Sequence, residues 1–308
     1  MDYGKIFKTI VDETAKYLIN NNLKTMVLGI SGGLDSTICA AICHEVVVKY
    51  SDYDFRFIGV SLPCSTNSDE ENKAAKSTME AYCNKDNCWV ENLEKEYILM
   101  KSTCDKHGAS TGISQGNIKA RLRMIYLYNL ASINNGLVID TDNLTEHYLG
   151  FFTIHGDQGD FNPIGGLWKH ELYELATWLR DKHKGQADYV SPDSFCGIDD
   201  IRDKEEAQLK VNALERAINI TPTDGNGVKD GGDMAQIAPG HTYKDVDDIL
   251  STFIEYRGRH PEEYQIAMNE LYIKYGEETV VLVLERMRRS EFKRKNLPIV
   301  VKREVYSN

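Results

Sequence analysis

Residues 29–36 read Gly-Ile-Ser-Gly-Gly-Leu-Asp-Ser, with the apolar Met26-Val27-Leu28 just before them and the helix-forming Thr37-Ile38-Cys39-Ala40-Ala41 just after. A buried strand must therefore empty into a loop of small residues that opens a helix. That geometry aims several backbone N–H groups and the positive end of a helix dipole at one point, which suits a phosphate. Gly32 and Gly33 let the backbone approach an anion closely, because no Cβ stands in the way. Ser31 and Ser36 add hydroxyl donors. Asp35 puts a carboxylate where a phosphate would be repelled, an arrangement that makes sense with a Mg²⁺ between the two.

A Walker-type phosphate loop needs a lysine before its terminal Ser or Thr, and position 35 is Asp. The glycine spacing does not fit the dinucleotide fingerprint either. The segment instead resembles the Ser-Gly-Gly-x-Asp-Ser pyrophosphate loop of the N-type ATP pyrophosphatases, which cleave ATP between its α and β phosphates and activate a substrate as its adenylate. An ordinary glycine-rich strand–helix turn is the plain alternative. Agreement at all six positions, between a strand and a helix, favours the pyrophosphate loop.

The 308 residues carry a formal net charge of −11, which argues against a nucleic-acid partner. Residues 285–304 nonetheless hold eight basic side chains against Glu285, Glu291 and Glu304, either as a solvated helix face or to meet an anionic ligand. No stretch approaches the roughly 20 apolar residues that span a bilayer, and the N-terminus has no signal-peptide core, so no membrane partner and a cytoplasmic location are expected. The seven cysteines form no C-x-x-C pair, so reduced, mostly inert thiols are expected and a zinc site is not.

Hydrophobic spacing predicts a helix over 5–20, a strand over 25–30 and a helix from the loop to about 50. It then predicts a strand over 55–62, a helix over 68–84 capped by Ser68, and a short strand over 88–91. A long helix over 114–134, a strand over 137–139 and a helix over 168–183 follow. This alternation predicts an α/β fold, a doubly wound and mostly parallel sheet with helices on both faces. Ligands of such sheets sit beyond the C-terminal strand ends, so the loops at 31–36 and 141–146 should share one edge. Residues 189–203 and 221–232 are turn-rich, and the region at about 185–235 reads as an insertion or mobile segment. Helices return over 243–256 and 277–289.

Several motifs then follow in order. They are Gly116-Asn117-Ile118-Lys119-Ala120-Arg121-Leu122-Arg123-Met124, Asp140-Thr141-Asp142-Asn143-Leu144-Thr145-Glu146 and Gly150-Phe151-Phe152-Thr153. Gly156-Asp157, Asp160-Phe161-Asn162-Pro163 and Trp168-Lys169 complete the series. Together they resemble the ammonia-dependent NAD synthetase family, well over about 5–180 and again around Pro222-Thr223 and 242–250. The resemblance implies a single domain over 1–308 of adenine nucleotide alpha hydrolase-like, Rossmann-like build. It also implies a homodimer with the dinucleotide at the subunit interface. About 24 residues precede the first strand, too few for a cysteine-nucleophile glutaminase domain, so free ammonia or a separate partner is the expected nitrogen source.

What the resemblance implies for the chemistry is amidation of deamido-NAD to NAD. ATP adenylates the nicotinate carboxylate, and ammonia displaces AMP. By this resemblance Gly29, Ile30, Ser31, Gly32, Gly33, Leu34, Asp35 and Ser36 hold the ATP phosphates, with Asp35 and Glu146 as Mg²⁺ ligands. Thr141 and Thr223 contact the nucleotide, and Lys169 neutralises phosphate charge. Arg121, Asp160 and Lys293 serve the deamido-NAD. Glu146 has a plainer reading as a solvated helix start, and Lys169 as a surface lysine. His147 and His155 flank the motifs as bystanders.

The chain departs from the family pattern at five places. Ile154 stands where a substrate-contacting lysine is usual, and Phe292-Lys293 replaces His-Lys. Asp140 and Gln158 replace glycines, and residues 185–235 are longer than the usual connection. Ile154 and Phe292 leave room for nicotinate mononucleotide as the acid. Other pyrophosphate-loop ligases, GMP synthetase-like or tRNA-modifying, fit the motif series less well. A non-catalytic adenine-nucleotide sensor fits poorly with Asp35, Glu146 and Lys169 all present.

Overall fold

The computed structural model describes residues 1–64, 67–188, 198–222, 234–295 and 299–300. Its centre is a parallel sheet of β1 (Thr25–Gly29), β2 (Arg56–Ser61), β3 (Cys88–Val90) and β4 (Gly136–Val138) in the spatial order β3-β2-β1-β4. Thr25 of β1 faces Arg56 on one side and Gly136 on the other, so both neighbours run parallel to it. The chain winds outward from β1 to β3 and then returns to β4, so the strand order reverses between β1 and β4. That switch point is where an open α/β sheet leaves a crevice at its C-terminal edge. The loops at 31–36 and 141–146 both leave this edge, as expected. A second small sheet pairs β5 (Phe161–Asn162) with β6 (Ile299–Val300).

Strand side chains alternate between two apolar layers. Met26, Leu28, Phe57 and Leu137 pack with α1 (Tyr3–Asn20), α2 (Leu34–Lys49) and α3 (Asp69–Tyr82) on one face. Val27, Ile58, Val60 and Val138 meet α4 (Glu94–Cys104) and α5 (Gly112–Ile133) on the other. Ser68 caps α3 in a reciprocal box with Glu71. A short helix, α6 (Leu144–Leu149), precedes α7 (Lys169–Asp188).

The turn-rich reading of 189–203 gives way at Ile198, where α8 (Ile198–Asn219) begins and then packs on α7 and α3. Its buried Ala207, Val211, Leu214 and Ala217 recur every three or four residues, which is enough to seat a helix. After the short α9 (Met234–Ile237), α10 (Tyr243–Tyr256), α11 (Pro261–Tyr275) and α12 (Glu277–Arg289) build a separate apolar cluster with Leu149 and Trp168. Proline opens α11 at a position where its missing N–H costs nothing. Among the described residues no disulfide forms, and no helix is long and apolar enough to cross a membrane.

Candidate active site

The loop after β1 delivers its phosphate-facing groups through backbone geometry. Gly32 has φ +81, and a Cβ there would run into the backbone of Ala74 and Ala75 on α3. Glycine is therefore required at this position. Gly33 starts α2 with no side-chain cap, so the first N–H groups of that helix are left for an anion. Ser31 and Ser36 lie side by side, their hydroxyls 3.0 Å apart, and Ser36 also donates to the Gly33 carbonyl. Ile30 and Leu34 are buried and anchor the loop to the core, and Gly29 packs under Leu127.

Asp35 lies in the first turn of α2, where a helix dipole favours a carboxylate. Its Oδ1 accepts from Asn143 Nδ2 at 2.9 Å and its Oδ2 from Lys169 Nζ at 2.6 Å. Asn143 is fully buried and works in two directions. Its Oδ1 caps α6 by accepting from Glu146 N, and Glu146 Oε2 returns the bond to Asn143 N. The other Glu146 oxygen accepts from Lys169 Nζ at 2.8 Å. Glu146 is thus both a helix start and part of the cluster.

Lys169 opens α7 and is only 2% exposed, so the surface reading of this lysine does not hold. Burial works against its charge, yet Asp35 and Glu146 outweigh it and hold the pKa well above the usual lysine value. Burial and the nearby Asp35 push Glu146 up to about 7, against the pull of Lys169. The point on which the two carboxylates converge is the ammonium itself, and among the described residues no group of three or more acidic, His or Cys side chains is set to hold a metal. Asp35 and Glu146 could therefore supply two hard oxygens to a Mg²⁺ that keeps most of its water shell.

The remaining candidates sit around this centre. Thr141 is half-buried on the loop after β4. Asp140 is fully buried and accepts from Asp142 N, Gly159 N and Asn162 Nδ2. It knits the two loops together where a glycine would leave a gap, and burial pushes its carboxyl up to about 7. Asp160 is exposed and ties back to the β4 backbone, where its Oδ2 accepts from Val138 N at 2.9 Å. Arg121 is exposed on α5 and donates to the Ile154 carbonyl at 3.2 Å. Arg123, on another face, holds the Leu62 carbonyl and Asn67 instead of a carboxylate. Thr223 lies outside the described residues, as does most of 221–232.

Lys293 donates to the carbonyls of Gly150 at 2.7 Å and Phe152 at 2.5 Å, and its desolvation lowers its pKa. Arg294 donates to the carbonyls of Tyr148 and Met287, and Arg286 stacks over Phe151 at 3.8 Å. This part of the basic segment is neither a solvated face nor a free anion site, since it grips the 148–152 turn. Phe292 is 63% exposed. His147 stacks on Phe152, and burial with Arg294 nearby lowers its pKa to about 4, so the ring is neutral.

The sequence reading passed over Asn143 and Asp247. Asn143 was legible as the first residue of an Asn-x-x-Glu capping box. Asp247 had no local signal, because its partners Thr145 and His170 lie far away in sequence.

The profile of NAD synthase matches residues 6–184. The NH(3)-dependent NAD(+) synthetase of Ectopseudomonas mendocina is 36% identical over 181 residues, which are 56% of this chain and 64% of that one. The chain's match thus spans just under two thirds of that relative's length. The enzyme of the same name from Lactobacillus johnsonii is 31% identical over 258 residues, 81% of this chain and 80% of that one. A solved structure of NMN synthetase from Francisella tularensis superposes with TM-score 0.67 at 21% identity, covering 96% of this chain and 97% of that one, and so shares the fold. With the profile running from α1 through most of α7 and the Lactobacillus alignment extending over four fifths of both sequences, the chain belongs to the NAD synthase family.

Proposed function

We propose that this chain converts deamido-NAD to NAD by ATP-dependent amidation with ammonia, releasing AMP and pyrophosphate. The observation that carries this reading is the meeting of Asp35, Glu146 and Lys169 beside the small-residue loop, at the crevice between β1 and β4. The Ectopseudomonas and Lactobacillus relatives are named NH(3)-dependent NAD(+) synthetases, which supports the reading.

A carboxylate is a poor electrophile, so its oxygen first attacks the α-phosphorus of ATP and pyrophosphate leaves. Ammonia then adds to the acyl carbon of the mixed anhydride, gives up one proton, and AMP departs with the C–O bonding pair. The protein's part is positioning and charge stabilisation. In this reading the N–H groups at the start of α2, with Ser31 and Ser36, hold the phosphates, and Thr141 meets the nucleotide. The Lys169 ammonium faces phosphate charge. Asp35 and Glu146 would hold Mg²⁺, which supplies charge neutralisation of the phosphates and of the departing pyrophosphate. Arg121 and Asp160 border the acid substrate, and Arg121 keeps N–H donors beyond the one used on Ile154. Lys293 shapes the 150–152 turn that this substrate meets. Thr223 retains its nucleotide role from the resemblance. We place the protein in the cytoplasm as a homodimer of single-domain chains.

One observation favours a smaller acid. Ile154 is neutral, and Lys293 spends donors on main-chain carbonyls, so a second phosphate finds less positive charge here. The test is mass spectrometry of products with ATP, Mg²⁺ and ammonium, supplying deamido-NAD and nicotinate mononucleotide separately and quantifying AMP. NAD and AMP in equal amounts is the expected result. Amidation of the mononucleotide alone moves the substrate and keeps the chemistry. Silence with both acids, at intact ATP binding, overturns the reading in favour of a nucleotide sensor.

A further inference from the structure

Asp247 is a carboxylate on the apolar face of α10, between Val246 and Ile249, and is 1% exposed. A charge in such a place is costly unless donors surround it. Three donors do. Thr145 Oγ1 donates to Oδ1, and His170 donates to Oδ2 through its backbone N at 2.9 Å, with its ring Nδ1 2.8 Å from the same oxygen. Thr145 Oγ1 in turn accepts from Lys169 N at 2.8 Å.

These bonds do the work of a helix cap. α7 is preceded by Trp168, which has no oxygen to offer the first N–H groups of the helix. Lys169 N and His170 N, the first two of α7, go instead to Thr145 and Asp247, which come from two other helices. Thr145 is the neighbour of Glu146, and Lys169 is the neighbour of His170. One carboxylate from α10 therefore sets α6 against α7, and with them the two side chains that meet at 2.8 Å in the candidate site. Asp247 lies beyond the family match at 6–184.

We infer that Asp247 is a positioning residue for the site: acting through Thr145 and the start of α7, it holds Lys169 and Glu146 at the spacing that ATP and its cation require. The inference rests on the proposed amidation for its kinetic readout. It also predicts ATP affinity in the presence of Mg²⁺, which needs no acid substrate.

The experiment compares full-length wild type with Asp247→Asn, Thr145→Val, Thr145→Ser and Leu250→Ala. Leu250 is buried on the same helix and touches none of these bonds, so it reports general damage to the cluster around α10. Asp247→Asn turns an amide N–H toward groups that themselves donate. We expect Asp247→Asn and Thr145→Val each to lower kcat about 10- to 100-fold, the usual range for partners that orient site ligands. ATP affinity measured calorimetrically with Mg²⁺ should fall about tenfold, with KM for the acid within about twofold of wild type. Thr145→Ser should recover most of what Thr145→Val loses, because it keeps the hydroxyl. Leu250→Ala should lower Tm by a similar amount while holding kcat within about threefold. Should Asp247→Asn not fold, Thr145→Val and Thr145→Ser decide alone. The inference is overturned if both loss variants keep kcat and ATP affinity within about threefold, or if Leu250→Ala loses as much at equal Tm. Wild type that amidates neither acid would sink the proposed function, and the ATP titrations would still decide the role of Asp247.

Discussion

Lys169 Nζ lies 2.6 Å from Asp35 Oδ2 across 134 positions of sequence, joining the first residue of α7 to the first turn of α2. With the second arm to Glu146, one positive charge faces two negative ones, which leaves one negative charge over. The cluster is therefore short of positive charge before any ligand arrives. That shortage is one cause of the raised Glu146 pKa, and it is what a divalent cation would correct.

Replacing Lys169 with Met should reduce pyrophosphate release about 10²- to 10³-fold, the scale seen when one preorganised group facing transition-state charge is removed. Breaking a buried pair commonly costs about 3–5 kcal/mol. The loss here should be smaller, because Glu146 can take up a proton near pH 7. Lys169→Arg should not restore activity, since a planar fork does not substitute for a point charge in a closed site. A Lys169→Met protein within about threefold of wild type would remove this lysine from the chemistry.

Asp140 gives stability a pH dependence. Burial raises its folded-state pKa to about 7, above about 3.9 in an unfolded chain. The folded protein thus holds this proton longer than the unfolded one. The stabilisation is fully present below about pH 4 and is lost as pH rises through about 7. Asp140→Asn cannot titrate, so the difference between the two stability curves should slope by up to about 1.4 kcal/mol per pH unit inside that window. Urea unfolding at pH 5, 6, 7 and 8 measures it, and parallel curves would contradict the assignment.

The sheet was legible in the sequence because β1, β2 and β4 are short apolar runs between clear helix signals, and the small-residue loop marked the edge where they end. Strand and helix limits came within a few residues. α8 is hard to read although Ala207, Val211, Leu214 and Ala217 repeat at helical spacing, because its charged face is broad and glycine- and turn-rich stretches flank it on both sides. α6 was legible only as a helix start at Glu146, because six residues are too few for periodicity and only its capping box announces it. Asp35, Glu146 and Lys169 were each readable from local motif context, and their meeting at one point follows from the strand order. Lys293 and Asp160 were harder. Their bonds to main-chain atoms of Gly150, Phe152 and Val138 depend on loop paths that no local pattern specifies.

Gly32→Ala should abolish measurable ATP binding and lower Tm. The φ of +81 costs a side-chain-bearing residue about 1–3 kcal/mol. The new Cβ must also displace the α3 backbone at Ala74 and Ala75, at a further cost of about 1–3 kcal/mol. Gly33→Ala offers the contrast, because its φ is −71 and the nearest atom to a Cβ is Ser31 Oγ at 3.4 Å. Its Tm should stay near wild type. Equal Tm losses in both variants would show that crowding at Gly32 is relieved by movement of α3.

Lys293→Met separates two ways of meeting the acid substrate. The ammonium holds the carbonyls of Gly150 and Phe152, so its loss frees the turn that leads to Thr153 and Ile154. Each of the two charge-assisted bonds lost is worth about 1.5–3 kcal/mol, roughly a 10- to 100-fold change in an equilibrium, and part of that is recovered as water reaches the freed carbonyls. KM for the acid should rise about tenfold, and KM for ATP should stay within about twofold, since Asp35 and the small-residue loop lie on other elements. If Lys293 acts as a clamp, deamido-NAD and nicotinate mononucleotide should suffer alike, because both place the nicotinate group against the same turn. A penalty confined to the dinucleotide would mean that the amine leaves those carbonyls for the second phosphate, making Lys293 the charge that stands in for the one missing at Ile154. Unchanged KM for both acids would leave the turn rigid without the lysine, held by Arg294 at the Tyr148 carbonyl, by Thr153 on Asn117 and Asp157, and by Arg121 at the Ile154 carbonyl.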